Sequence, residues 1–129
     1  MTSPDCSFEV DPGTVVVEFN DAINFQSLPD LEALMTDDHR FLDSAGNLVE
    51  GRAACVAAWS GFFEAFPDYR NVFGTISEHG DQVVIRGHSE CSVPELDGPA
   101  LWSARVTDGK VSEWRVYEDN ALNRGSLNL

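Results

Sequence analysis

The stretch Gln82-Val83-Val84-Ile85-Arg86-Gly87-His88-Ser89-Glu90-Cys91 decides the fold. In an extended chain Val83, Ile85, Gly87, Ser89 and Cys91 share one face, and Val84, Arg86, His88 and Glu90 share the other. The first face is apolar or small and is expected to look inward. The same period of two extends to both sides, over residues 70–78, 82–93, 99–107 and 111–119. Gly80-Asp81, Asp97-Gly98-Pro99 and Asp108-Gly109 separate these strands, and the last is a strong hairpin signal.

Towards the N-terminus the period becomes helical. Residues 1–10 lack periodicity and read as a loose lead-in to a single domain over 11–129. Asp11-Pro12-Gly13 starts a helix, with Asp as cap and Pro in the first turn. Val16, Phe19, Ala22 and Ile23 recur at helical spacing to about Gln26. A second short helix carries Leu31, Leu34 and Met35 and ends at Asp37-Asp38. His39 to Leu42 reads as a strand, Ala45-Gly46-Asn47 as a turn and Leu48-Val49 as another short strand. A third helix runs from about Arg52 to Phe66, and Pro67 stops it. Helices first and antiparallel strands last imply an α+β domain, with helices on one face of a curved sheet.

The 129 residues include 8 Lys+Arg against 22 Asp+Glu, a formal charge of −14. Scattered basic residues in so acidic a chain argue against nucleic acid and against anionic membrane surfaces. No apolar run is long enough for a membrane span, and no signal peptide is visible. The cysteines Cys6, Cys55 and Cys91 form no pair spacing or zinc motif. Cys55 and Cys91 read as small core residues, and a reduced, cytoplasmic setting is expected.

The order of elements resembles the nuclear transport factor 2-like superfamily, in its SnoaL-like and ketosteroid-isomerase-like branches. The resemblance runs from about Val15 to Leu127. It rests on Val17-Glu18-Phe19-Asn20-Asp21-Ala22, Leu31 through Asp38, Phe41-Leu42-Asp43-Ser44, Gly51-Arg52-Ala53-Ala54, Phe66-Pro67-Asp68-Tyr69-Arg70, Asp108-Gly109-Lys110-Val111, and Trp114-Arg115 with Asp119. It implies a cone: a curved antiparallel sheet packed on three N-terminal helices and enclosing an apolar pocket. Phe19, Ile23, Phe41, Val56, Trp59, Phe63, Ile85, Ser89, Trp114 and Val116 are the expected lining. The implied ligand is a hydrophobic small molecule, and the implied chemistry is a cofactor-independent isomerase or cyclase type of proton transfer. A non-catalytic binding or assembly module on the same fold is the alternative.

Asp43 resembles the isomerases' general-base aspartate in position. In an apolar pocket its pKa would rise, because desolvation penalises the charged form, and that would suit proton abstraction beside a carbonyl. Asp43-Ser44-Ala45-Gly46 is equally a good turn, in which the carboxylate caps backbone amides. The isomerases' tyrosine and protonated aspartic acid, the oxyanion partners, correspond here to Phe19 and Trp102. Only Trp102 retains a donor. The acid, arginine and acid of limonene-epoxide hydrolases correspond to Ser89, Gly87 and Val116, so that activity is excluded. Glu118 and Asp119 are weaker acid/base candidates: strand parity turns Glu118 inward, whereas the motif favours Asp119. A salt bridge with Arg115 or Arg86 is the alternative for either.

His39, His79 and His88 have no ligand spacing, and neither a metal nor a cofactor is expected. The outer sheet face gathers Arg86, His88, Glu90, Arg105, Arg115 and Tyr117. It is expected to form a two-fold homodimer.

Overall fold

The computed structural model describes residues 11–129, and the lead-in expected over residues 1–10 lies outside the described residues. Helix α1 spans Pro12–Asn24 and buries Val16, Phe19, Ala22 and Ile23, the stripe read from the sequence, together with Val15. Asp11 occupies its N-cap without a side-chain cap bond. Its carboxyl meets that of Glu78 instead and holds the Glu78 pKa above the ordinary value.

Helix α2 is shorter than expected, Leu28–Ala33, with the Ser27 hydroxyl accepting from the Asp30 amide. The segment Met35–Asp38, expected as its last turn, belongs instead to strand β1, Met35–Leu42. The sheet captures the chain here. The Leu34 carbonyl accepts from the Val111 amide at 2.7 Å, and Met35 stands opposite Val111. Strand β2, Leu48–Glu50, pairs with β1. Gly51 then takes φ 97°, a left-handed value that glycine adopts without a Cβ penalty, and α3 runs from Arg52 to Ala65.

Strands β3 (Arg70–His79), β4 (Gln82–Glu90), β5 (Gly98–Thr107) and β6 (Lys110–Glu118) complete the sheet. The β5–β6 hairpin turns on Asp108 and Gly109, both at positive φ as the tight primed turn requires. The spatial order is β2-β1-β6-β5-β4-β3. All neighbours are antiparallel except β1 and β6, which run parallel. A fourth helix, α4 (Ala121–Ser126), follows the last strand.

The expected strand over 82–93 stops at Glu90. The Asp97 carboxylate takes the Cys91 amide and the Asp68 carboxylate takes the Ser92 amide, which diverts both from the ladder. Cys91 is therefore half-exposed outside the sheet rather than in the core. Cys55 is buried, and burial raises its thiol pKa.

Register shifts interrupt three strand pairs: β1–β6 between Met35 and Arg40, and two more that bend the sheet. The β3–β4 register shifts at Gly74, where a Cβ on Gly87 would run into the Val72 carbonyl oxygen. The β5–β6 register shifts at Arg105 and Val106. That second bulge lets Val111 and Trp114 both face inward, although plain alternation would separate them. Helix α1 packs across β3, β4, β5 and β6, whereas the main strand contacts of α3 are with β1 and β2. The inner face is thus fully covered at one end and incompletely covered at the other.

Candidate functional site

The gap between α3 and the inner sheet face is a cavity of about 320 Å³, in the range of small-molecule sites. From α3 it takes Cys55, Ala58, Trp59 and Phe62. From the sheet come Phe41, Asn71, Trp102, Trp114 and Val116, and from the connections Asp43, Ser44, Tyr69 and Leu96. The aromatic walls brace one another: Phe41–Trp59 centroids lie 5.6 Å apart, Trp59–Phe62 5.7 Å and Phe62–Tyr69 4.8 Å. No Lys or Arg is among the lining residues. Three donors of these residues lie behind the lining, with almost no accessible surface and no protein partner: the indole N–H groups of Trp102 and Trp114, and Nδ2 of Asn71. Buried donors of this kind normally find an acceptor.

Asp43 borders the cavity, and its carboxylate takes the second of its two expected parts, that of a loop cap. Its Oδ1 accepts the Ala45 and Asn47 amides, each at 2.9 Å, and Oδ2 accepts from Asn47 Nδ2 at 3.0 Å. The Asn47 side-chain bond, helped by the backbone amides, holds the carboxyl below its ordinary 3.8. The raised pKa expected from desolvation does not arise, because the carboxylate caps its own loop.

A second polar strip lies on β3 and β4. Tyr69 hydroxyl and Ser89 hydroxyl are 3.2 Å apart, and Ser89 donates to Asn71 Oδ1 at 3.0 Å. Burial raises the Tyr69 pKa, so the phenol keeps its proton. Ser89 itself borders a neighbouring, more polar cleft that shares Ser44, Tyr69, Leu96 and Val116 with the cavity. Glu118 and Asp119 border that cleft too, so neither lines the apolar cavity. Glu118 is exposed, against its inward parity. Asp119 is engaged in ion pairs: its carboxylate lies 3.0 Å from Arg124 Nε and 4.0 Å from Arg86 Nε.

Of the other expected lining residues, Phe41, Trp59, Trp114 and Val116 surround the cavity, with Trp102 beside them. Phe19, Ile23, Val56, Phe63 and Ile85 do not. They belong to the packed core under α1 and behind α3, because α1 covers the inner face so fully that no space remains there. Ser44, Cys55, Ala58, Phe62, Tyr69, Asn71 and Leu96 line the cavity without being among the expected residues. The only signal for Tyr69 and Asn71 was their same-face spacing at the start of β3.

The outer sheet face is less open than its sequence suggests. Leu127 after α4 packs on Val84 and Leu101, with Tyr117 and Leu129 alongside. Arg105 pairs with Asp81 at 3.2 Å, His88 meets Glu90 at 3.2 Å, and Arg115 lies 4.9 Å over the Tyr117 ring. Pairing of two copies across this face would compete with these internal partners. No described helix is long and apolar enough to cross a membrane.

The family model of the SnoaL-like domain matches residues 16–114. No curated protein matches the chain. Among solved structures, a candidate SnoaL-like polyketide cyclase from Shewanella putrefaciens superposes with a TM-score of 0.74 at 16% identity, covering 99% of this chain and 96% of that one. IdmH, a candidate polyketide cyclase from Streptomyces antibioticus, gives 0.71 at 20% identity, covering 93% and 100%. A candidate ketosteroid isomerase from Kribbella flavida gives 0.69 at 18% identity, covering 85% and 78%. At these identities the likeness is one of fold.

Proposed function

The chain belongs to the SnoaL-like domain family, and on that premise we propose that it binds a neutral, apolar, oxygen-bearing small molecule in the cavity under α3. The observation that carries this reading is the cavity itself, walled by Phe41, Trp59, Phe62, Trp102 and Trp114 and carrying no Lys or Arg on its lining. Apolar walls supply affinity by burying ligand surface, at roughly 25 cal/mol per Å² before the costs of ordering. An anionic ligand would meet no lysine or arginine on the lining and would face the Asp43 carboxylate. The polyketide and steroid names carried by relatives of this fold describe ligands of the same apolar, carbonyl-rich character.

The test is a titration of the full chain with 2-acetylnaphthalene, read by tryptophan fluorescence, alongside an Ala58→Trp variant that fills the cavity mouth. The reading expects saturable quenching in the wild type and its loss in the variant. Quenching that survives Ala58→Trp unchanged would place the ligand elsewhere.

A second reading adds turnover, because Asp43 and Trp102 line the same cavity. Ionised Asp43 would take a proton from a carbon beside the ligand carbonyl, leaving the negative charge on the carbonyl oxygen as an enolate. The same carboxylic acid would return the proton at another carbon. The loop bonds that depress the Asp43 pKa make it a weaker base, so binding is the reading favoured here. Deuterium exchange into a bound enone, lost in Asp43→Asn, would establish proton transfer.

A further inference from the structure

We propose that the ligand of this cavity carries an uncharged, hydroxyl-rich substituent of sugar-like size, seated in the polar cleft beside it, an inference that rests on the cavity reading above. The cavity, about 320 Å³, lies at the small end of ligand sites. The cleft is a further space of about 460 Å³. Ser44, Tyr69, Leu96 and Val116 line both. They come from four separate segments: the β1–β2 connection, the α3–β3 connection, the 3₁₀ turn Pro94–Leu96 and β6. None of the four is buried, so each keeps surface to present to a ligand. A molecule that fills the cavity and outgrows it past these residues enters the cleft.

The two spaces differ in chemistry. The cavity is walled by aromatics, whereas Glu95, Asp97, Glu118 and Asp119 border the cleft, and no Lys, Arg or His lines it. Two of these acids are already engaged. Asp119 pairs with Arg124 and Arg86, and Asp97 Oδ1 accepts the Cys91 amide. Glu95 and Glu118 are exposed and enter no ion pair among the described residues. An ionised carboxylate only accepts hydrogen bonds, and a hydroxyl donating to one makes a strong, charge-assisted bond. Free acceptors therefore select a ligand that brings donors. A ligand carboxylate or phosphate would meet like charge with no cation on the lining. Pro99 and Tyr117 add apolar surface to the same cleft. A sugar-like ring answers both features, with C–H faces and several O–H donors. A bare ammonium group would use the acids and leave the apolar surface uncovered.

The experiment titrates the full chain by calorimetry with 2-methoxynaphthalene, 2-naphthyl β-D-glucoside and 2-naphthyl β-D-glucuronide. The last two differ only in a hydroxymethyl group against a carboxylate. The glucoside is expected to bind about 10-fold tighter than 2-methoxynaphthalene, the scale of one or two net hydrogen bonds. The glucuronide is expected to bind about 10-fold more weakly than the glucoside at low salt. In the double variant Glu95→Gln, Glu118→Gln that deficit is expected to fall to about 3-fold. The double variant Glu18→Gln, Asp21→Asn removes the same charge from exposed positions of α1 outside the cleft and is expected to keep it. Equal recovery in both double variants would assign the effect to the charge of the whole chain and overturn the role of the cleft. A glucoside no tighter than 2-methoxynaphthalene, with both bound, would overturn the sugar-like substituent and leave the cavity reading standing. So would a naphthyloxyethylamine that outbinds the glucoside at high salt. Failure of all these probes to bind the folded wild type would overturn the cavity reading itself. NOEs from the sugar protons to Pro99 and Tyr117 are expected, and NOEs from them to α1 alone would reject the placement.

Discussion

The two ends of the inner sheet face are built from the same strands and differ in what covers them. Under α1, Phe19, Ile23, Met35, Ile85 and Val111 are all fully buried and packed against one another. Under α3, Trp59, Phe62, Trp102 and Trp114 border a cavity. Helix α1 crosses four strands, whereas α3 leans chiefly on the β1–β2 end. The difference shows that strand parity decides which side chains face inward, and helix placement decides which of them meet empty space.

The sharpest way to break this comparison is to truncate one aromatic at each end. Phe19→Ala opens a hole in a packed region and is expected to cost about 3–5 kcal/mol, whereas Phe62→Ala enlarges an existing space and is expected to cost about 1 kcal/mol. Equal losses by denaturant unfolding would remove the distinction. A smaller effect concerns the bend between the ends. Gly87→Ala forces a Cβ towards the Val72 carbonyl, with an expected cost of about 1–3 kcal/mol. An unchanged midpoint would show that the close approach at Gly87 is not required.

In β4 the inner-face residues Val83, Ile85 and Ser89 are buried as read, although Val84 on the other face is buried too, beside Leu127. Asp108-Gly109 carried its hairpin because both residues adopt positive φ. Met35–Asp38 misled because Leu31, Leu34 and Met35 fit a helical stripe while the Val111 partner lies far along the chain. The site was half legible. Aromatics on the right strand faces were found, but no local pattern states where α3 leaves a gap. Asp43 borders the cavity, and the adjoining turn sets the state of its carboxylate through Asn47.

Two titrations sharpen the comparison further, one at each end. At the packed end, His39 is fully buried, donates from Nδ1 to the Val111 carbonyl at 2.7 Å, and leaves Nε2 without a partner. Burial lowers its pKa below 6.5 against the weaker opposing pull of Val111, Asp38 and Glu113. The unfolded chain therefore binds a proton that the folded one refuses as pH falls through 6.5 towards the folded value. Stability is expected to drop there by up to about 1.4 kcal/mol per pH unit, and His39→Leu is expected to flatten that slope. At the open end, carboxyl NMR is expected to find Asp43 titrating below 3.8. The stability this contributes is present above the unfolded pKa and is lost as pH falls through the folded one. A value above 3.8 would restore the desolvated-base picture.

The most direct measurement is the set of intermolecular NOEs between bound 2-acetylnaphthalene and the full chain. Contacts to the rings of Phe41, Trp59 and Phe62, with none to Phe19 or Ile23, are the result expected of a ligand held at the open end. Contacts confined to the outer sheet face or to exposed Phe25 would contradict it.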